Sequence, residues 1–301
     1  MSVSALPRGV ARPKIWFDGA LVDADAAATA LDSHALHYGS GVFEGIKSYA
    51  TVHGATAVFR LPEHLERMRR GAELLGLDFD AGTTAAAIVA TLRANGHRDA
   101  YIRPLAWAGS GGFGLDTAGH PSHCMVATTE TLVHLNGARV RCAVSTRRRN
   151  PVAALPTLKL CGGYVNSILA KREAARLGCN EALFVDDEGF VVECTGANVF
   201  MVKDGRISAA THRDALPGIT RDSLIALTGA QSRPIPLDEL LEADEVFACG
   251  TAAEVAPLAT LGQREYADGP ITREIAALYA RAVRGEESAH RHWLTEFRGT
   301  T

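Results

Sequence analysis

The five lysines are the most informative candidates for chemistry in this chain: Lys14, Lys47, Lys159, Lys171 and Lys203. Four of them have ordinary places beside predicted strands, a hairpin turn or an amphipathic helix. Lys159 differs, because it stands in PTLKLCGGY, between two leucines and just before two glycines. Strand alternation alone would let this side chain point to solvent. If it is held away from water near a ligand instead, its amine becomes a nucleophile suited to Schiff-base chemistry.

Two other segments have the composition of anion sites. In ALPGITRD, Pro217 and Gly218 lead into Thr220 and a predicted helix, whose first N–H groups and hydroxyl would suit a phosphate. In CGTAAE, Thr251 follows a glycine after a predicted strand. Glu193 ends the strand-like run FVVE, where a solvated carboxylate and a functional one are both compatible with the pattern. Turns and helix caps use the same residue types, so none of these segments identifies a ligand by itself.

Several familiar kinds of site are not indicated. His34 and His37 are one helical turn apart, but no third ligand lies at metal-binding spacing, so no metal is expected. The sequence has no G-x-S-x-G nucleophile motif and no G-x-G-x-x-G between a strand and a helix. A serine hydrolase and a dinucleotide-binding fold are therefore disfavoured.

Composition limits the class of protein further. The chain has 301 residues and a formal net charge of −3, which argues against a nucleic-acid partner. No apolar run is long enough for a membrane span, and the N-terminal segment lacks the apolar core of a signal peptide, so a cytoplasmic protein is expected. The six cysteines form no C-x-x-C pair and are expected to be reduced.

The elements that must position these residues alternate between hairpins and helices. KIWF and ALVD flank Asp18-Gly19, a pair typical of a tight hairpin turn. Pro62 suits the first turn of a helix that carries apolar residues at helical spacing. Strands are further predicted at 42–50, 57–61, 101–108, 124–128, 140–146 and 182–185, and helices near 83–95, 164–177, from 220 and near 272–284.

This mixture lacks regular βαβ alternation and predicts an α+β fold. Periodicity is lost near residues 130–138, which predicts a linker between a small α+β domain at 1–129 and a larger domain at 139–301.

The order of the motifs is more specific than any one of them. HALHYGSGVFEG, VFRLPEHLERM, AYIRPL, Lys159 with GGYVNS, Glu193 with CTGANVF, ALPGITRD and CGTAAE follow one another along the chain. This series resembles the branched-chain amino acid aminotransferases, within the class IV group of enzymes that use pyridoxal 5′-phosphate (PLP). The resemblance extends from about Lys14 to Trp293. It implies a two-domain fold in which the larger domain has a barrel-like sheet and the cofactor lies between the domains.

The resemblance also implies roles for individual residues. Lys159 matches the family's Schiff-base lysine and general acid/base, and Glu193 matches the carboxylate that pairs with the pyridine nitrogen. Tyr164 matches the phenol that bonds the ring hydroxyl, and Leu216 packs on the ring. The phosphate would be held by Arg60, Ile219, Thr220 and Thr251.

Substrate-binding positions are implied in the same way. Arg103 and Tyr101 match the residues that recognise the substrate carboxylate, assisted by backbone N–H groups of Thr251 and Ala252. The side-chain pocket would include Tyr38, Phe43 and Leu115, the last contributed by the neighbouring subunit. A homodimer or higher homo-oligomer is therefore expected.

The sequence departs from the family around the linker. Bacterial members carry a Trp and a Tyr there, whereas TTETLVHLNG places Thr131 and His134 near those positions. Either Leu132 or Leu135 fills the gap, or the pocket is roomier and more polar, with a weaker preference for Leu, Ile and Val.

The sequence and the resemblance leave three functions to be tested. The first is transfer of the amino group from an aliphatic L-amino acid to 2-oxoglutarate. The second keeps the fold but acts on D-amino acids or amines, or as an aminodeoxychorismate lyase. The third is a non-catalytic phosphate-ligand binding protein. Arg103 favours the first over an amine transaminase, because an amine has no carboxylate, and the presence of both Lys159 and Glu193 argues against the third.

Overall fold

The computed structural model describes residues 13–130, 135, 140–267 and 269–298. The first part of the chain contains β1 (Lys14–Phe17), β2 (Ala20–Asp23), α1 (His34–Tyr38), β3 (Gly41–Phe43), β4 (Ile46–Ala50), β5 (Thr56–Phe59), α2 (Leu61–Leu74), α3 (Ala81–Asn95), β6 (Ala100–Ala108) and β7 (Ser122–Thr129).

The second part contains β8 (Val140–Val144), α4 (Tyr164–Arg176), β9 (Glu181–Val185), β10 (Val191–Cys194), β11 (Asn198–Lys203), β12 (Arg206–Ala210), α5 (Ile219–Thr228), β13 (Gln231–Arg233), α6 (Leu237–Leu241), β14 (Glu245–Gly250), β15 (Glu254–Leu261), β16 (Arg264–Glu265), α7 (Pro270–Val283) and β17 (Leu294–Phe297). Short 3₁₀ turns span Cys161–Gly163 and Ser288–Trp293.

Two sheets organise these elements. The first has the order β17-β5-β4-β6-β7-β1-β2, with β3 also paired to β6. The second has the order β10-β9-β8-β15-β14-β11-β12-β13, with β16 on β15, and is the barrel-like sheet that the sequence resemblance implied. Most neighbouring strands are antiparallel, while β8 runs parallel to β9 and β15, and β12 runs parallel to β13. None of the helices in the described ranges is long and apolar enough to cross a membrane.

The hydrophobic core follows from the alternation of these strands. Phe200 and Phe247 lie opposite each other on β11 and β14 and stack with ring centroids 4.9 Å apart. They belong to a cluster that also includes Tyr49 and Phe59 from the first sheet and Tyr279 from α7. A shared cluster of this kind fixes the two sheets relative to each other, which is a requirement for any site built from both.

One predicted strand is interrupted. The run 42–50 forms β3 and β4, separated at Glu44 and Gly45. The Glu44 carboxylate is fully buried against α2, and a Cβ at Gly45 would lie 2.4 Å from the Tyr101 hydroxyl. The interruption therefore brings a charged side chain inward, and only glycine leaves room for Tyr101 beside it.

The predicted domain boundary is not a simple division of the chain. β17 pairs antiparallel with β5, so residues near the C-terminus return to the first sheet. A single cut at the predicted linker does not separate the two sheets for this reason. The domains 1–129 and 139–301 remain a prediction, and most of the predicted linker 130–138 lies outside the described residues.

Candidate active site

A cavity of about 630 Å³ is lined by residues of both sheets. It gathers most of the site residues predicted from the sequence, which come from distant parts of the chain. The predicted residues that line it are Phe43, Tyr101, Arg103, Lys159, Tyr164, Glu193, Leu216, Ile219, Thr220, Thr251 and Ala252.

Lys159 faces this cavity instead of solvent. Its Nζ donates a hydrogen bond to the Tyr164 hydroxyl at 3.0 Å and lies 5.3 Å from the centre of the Phe43 ring. Its carbonyl accepts a hydrogen bond from the Phe43 amide. The end of α1 packs closely on the segment after Lys159, since a Cβ at Gly39 would lie 2.7 Å from the Cα of Gly162. The amine is thus positioned by a phenol and an aromatic face.

Glu193 lies in the same cavity as a buried acceptor. Its Oε1 accepts from Arg149 Nε at 2.7 Å, and its Oε2 accepts from the Leu216 amide at 3.1 Å and from Asn198 at 3.4 Å. Burial raises the pKa of Glu193, although Arg149 opposes the shift. A protonated nitrogen placed in the cavity would restore part of the stabilisation that burial has removed from this carboxylate.

The start of α5 forms an anion cradle on another wall. Gly218 is the N-cap and supplies no side-chain cap, so the first N–H groups of the helix remain available. A Cβ at Gly218 would lie 1.9 Å from Asn198 Oδ1, so glycine is required at this position. Arg67 donates to the Pro217 carbonyl at 2.8 Å and therefore lies beside the same helix end. The combination of a guanidinium, free amides and the Thr220 hydroxyl suits a phosphate.

Arg67 is held by a buried network on α2. Its Nε and Nη2 donate to the two carboxylate oxygens of Glu44 at 2.6 and 2.9 Å, and His64 Nδ1 contacts the same carboxylate at 2.8 Å. Burial alone would raise the pKa of Glu44, but Arg67 and His64 outweigh it and hold this pKa well below its usual range. Burial lowers the pKa of His64 against the opposing effect of Glu44. The network thus places one buried carboxylate between Arg67 and His64.

The predicted carboxylate-binding pair lies on β6. Arg103 Nη2 donates to the Tyr101 hydroxyl at 2.6 Å, and the guanidinium carbon lies 4.7 Å from the centre of the Phe43 ring. The arginine is therefore oriented by a phenol and an aromatic face, and its planar fork of N–H groups suits a carboxylate in the cavity. Leu105 and Met125 add apolar surface to the same cavity.

Thr251 and Ala252 lie in the turn between β14 and β15. Gly250 pairs with Glu254 in the antiparallel register, so residues 251–253 form a three-residue connection. Both residues line the cavity, and their amides lie outside the strand ladder.

Three predicted residues do not line this cavity. Arg60 is the N-cap of α2, and its guanidinium bonds Asp222 at 2.9 Å and Ser223 at 3.1 Å instead. Tyr38 and Leu115 line a separate pocket, where Tyr38 donates to the Phe113 carbonyl at 2.6 Å. The exposed fraction of Leu115 is 80%. Within one copy of the chain, these two residues do not share a pocket with Lys159.

Of the four predicted residues of the altered linker, the structure describes only Leu135. Thr131, His134 and Leu132 lie outside the described residues. Leu135 is described and packs in the core of the second sheet, and it is not among the residues that line the cavity.

Sequence reasoning missed several cavity residues, chiefly Arg67, Arg149 and Asn198. Arg149 belongs to a run of three arginines, of which Arg148 instead pairs with the exposed Asp187. A usable signal existed for Arg67, because its position in the helical repeat falls on the buried face of α2. An arginine on an apolar helix face requires a buried partner, and such partners concentrate at functional sites.

Comparison with known proteins gives the family. The family model for class IV amino-transferases matches residues 41–261. A branched-chain-amino-acid aminotransferase of Pseudomonas aeruginosa is 36% identical over 297 residues, which cover 93% of this chain and 96% of the relative. The corresponding enzyme of Escherichia coli K12 is 34% identical over 94% of this chain and 96% of its own length.

Solved structures agree with these relatives. The T.th. branched-chain amino acid aminotransferase, in complex with N-(5′-phosphopyridoxyl)-L-glutamate, is 40% identical with a TM-score of 0.88, covering 95% of this chain and 99% of its own. The predicted family, α+β fold class and transaminase class are confirmed. This chain belongs to the class IV aminotransferases and is similar over nearly its whole length to their branched-chain members.

Proposed function

We propose that the protein transfers the amino group of an aliphatic L-amino acid to 2-oxoglutarate, with PLP as cofactor. The observation that carries this proposal is the meeting of Lys159 and Glu193 in one cavity with the Tyr101–Arg103 pair. The cofactor agrees with the T.th. relative, which was also solved with pyridoxamine 5′-phosphate.

The residues of the cavity fit PLP. The buried acceptor Glu193 suits a protonated ring nitrogen, and the glycine-lined end of α5 suits a phosphate. We assign Arg67, and not Arg60, to the phosphate, because Arg67 lines the cavity and contacts the Pro217 carbonyl, whereas Arg60 does not line the cavity and is paired with Asp222 of α5. Ile219, Thr220 and Thr251 would complete the phosphate contacts, and Leu216 would pack on the ring.

Bound PLP supplies an electron sink that stabilises negative charge developing at the substrate Cα. Lys159 is the base that we assign to the Cα proton, and Tyr164 orients its amine through the 3.0 Å hydrogen bond. Glu193 keeps the ring nitrogen protonated, while Arg149 holds the carboxylate in place. Arg103 binds a substrate carboxylate in both halves of the reaction, and this favours an amino acid over a simple amine.

A homodimer or higher oligomer remains part of the proposal, as does a cytoplasmic location. In support of the dimer, Tyr38, Phe113 and Leu115 expose 46%, 66% and 80% of their surface on neighbouring segments. Such exposed apolar side chains favour an interaction surface. We expect Leu115 of one copy to complete the substrate pocket of another.

The test is a panel of amino donors and keto-acid acceptors with the purified holoenzyme. We expect activity with L-Leu, L-Ile and L-Val and 2-oxoglutarate, and little with D-amino acids or amines. Borohydride should fix the cofactor to the peptide that contains Lys159, and Lys159→Ala should abolish transamination while leaving the fold intact. Recovery of the cofactor on another lysine, or faster turnover of amines than of amino acids, would contradict the proposal.

A further inference from the structure

Glu254 has a backbone conformation that its residue type disfavours. It closes the three-residue turn between β14 and β15, opposite Gly250, and its φ is 54°. The residue that closes such a turn is usually glycine, because L side chains are disfavoured at left-handed φ. A glutamate at this position therefore indicates a compensating side-chain contact.

That contact crosses to the first sheet. Glu254 Oε1 accepts from Lys47 Nζ at 2.7 Å and from the Tyr49 hydroxyl at 2.9 Å. Both donors lie on β4, more than 200 residues away in the chain. The Lys47 and Glu254 side chains are only 15% and 26% exposed, so the pair is shielded from most of the solvent.

The two ends of this contact lie next to the two anion-binding parts of the cavity. Glu254 directly follows the turn that carries Thr251 and Ala252. Lys47 lies opposite Tyr101 in the β4–β6 register, and opposed residues of an antiparallel pair project to the same face. Tyr101 in turn orients Arg103. The contact thus joins the turn to the wall that binds substrate carboxylates.

We propose that Glu254 is a positioning residue: through Lys47 and Tyr49 it fixes the 251–253 turn against the Tyr101–Arg103 wall. The distance between the donors for the cofactor phosphate and those for the substrate carboxylate is then set by one contact between the sheets. The identity of these two anions rests on the proposed function. Glu254 itself is assigned no contact with either of them.

Glutamate-to-glycine replacement separates positioning from a purely structural role. Glu254→Gly removes the carboxylate and also relieves the left-handed strain, so a turn-forming role alone predicts unchanged kinetics and an equal or higher melting temperature. Positioning predicts KM for L-leucine and 2-oxoglutarate raised roughly five- to thirtyfold with a much smaller change in kcat. It also predicts faster PLP release on dialysis, followed by absorbance. Asp204→Gly, at another left-handed residue in a hairpin remote from the cavity, is the matched control and should change neither quantity.

A second set of variants tests the proposal if Glu254→Gly does not fold. Glu254→Gln keeps an oxygen that can accept from Lys47 and Tyr49 and should give a smaller effect than Glu254→Gly. In a Lys47→Met background the effect of Glu254→Gln on KM and PLP release should be smaller than in the wild type, because only the Tyr49 hydrogen bond is then left to weaken. Additive effects, or wild-type KM and PLP release in Glu254→Gly, would overturn the proposal. If the wild type does not transaminate L-leucine, the proposed function fails, while PLP release still decides the role of Glu254.

Discussion

Replacement of Glu44 by glutamine tests whether the buried network around Arg67 is a real ion pair. Glu44 is fully buried and accepts two hydrogen bonds from Arg67 and one from His64. Glutamine keeps the shape of the Glu44 side chain but removes its charge, and its amide NH₂ would face N–H donors of Arg67 or His64. In the protein freed of PLP, Arg67 would then be a buried cation with only uncharged acceptors, among them the Pro217 carbonyl.

We expect Glu44→Gln to lower the free energy of unfolding by a large amount, although it exchanges only one oxygen for an NH₂ group. Removing one partner of a buried ion pair destabilises a protein by about 3–5 kcal/mol, because the other charge stays desolvated. Glu66 on the same helix provides the control, since its pair with Arg69 is exposed and should contribute little to stability. Urea unfolding of Glu44→Gln and Glu66→Gln, with wild type alongside, gives both values.

The pH dependence gives an independent check. The folded-state pKa of Glu44 lies well below the unfolded value, so its stabilisation is present above the unfolded pKa and is lost as the pH falls through lower values. The difference in the free energy of unfolding between wild type and Glu44→Gln should therefore be constant from about pH 8 to pH 5. It should decrease below about pH 4. A difference under about 1 kcal/mol at pH 7, or one that does not change with acid, would refute the ion-pair argument.

Three further experiments, with four substitutions, test the site. Glu193→Gln should lower kcat more than it weakens PLP retention, because the phosphate contacts remain. An equal loss of kcat and of PLP affinity, the latter measured by absorbance titration, would contradict this. Arg103→Leu should raise KM for the amino acid and for 2-oxoglutarate together, by roughly tenfold or more, and unchanged 2-oxoglutarate kinetics would point to another cation. Arg67→Met should weaken PLP binding more than Arg60→Met, as measured by PLP titration, and the reverse order would restore the assignment of Arg60 to the phosphate.

Local patterns were sufficient to predict most elements, since alternation and turn residues act over a few positions. The hairpin β1–β2 lies at its predicted place, and the helix α2 begins one residue before the predicted Pro62. The break between β3 and β4 was not visible, because it depends on Glu44 meeting a helix that follows it in the chain. The pairing of β17 with β5 was not visible either, because strand partners far apart in sequence leave no local signal.

The site was predicted through motif order more than through chemistry. The residues alone left Lys159 undecided between solvent and a ligand, and only its packing against Phe43 and Tyr164 resolves the direction. The role of Glu254 was invisible for a related reason. Its left-handed φ and its bond to Lys47 are properties of the folded chain, and CGTAAE carries neither.

The two arginines of FRLPEHLER show where physical reasoning from sequence could have gone further. Arg60 directly precedes the helix and has a left-handed φ of 50°, so it lies outside the helical repeat that packs on the sheet. Arg67 lies three residues after His64 and one before Met68, all on the buried face of the helix. A charged side chain at that phase must be neutralised by a buried partner or directed into a cavity, and Arg67 meets both conditions through Glu44 and the start of α5. Helical phase therefore distinguishes the two arginines, whereas proximity to the motif start does not.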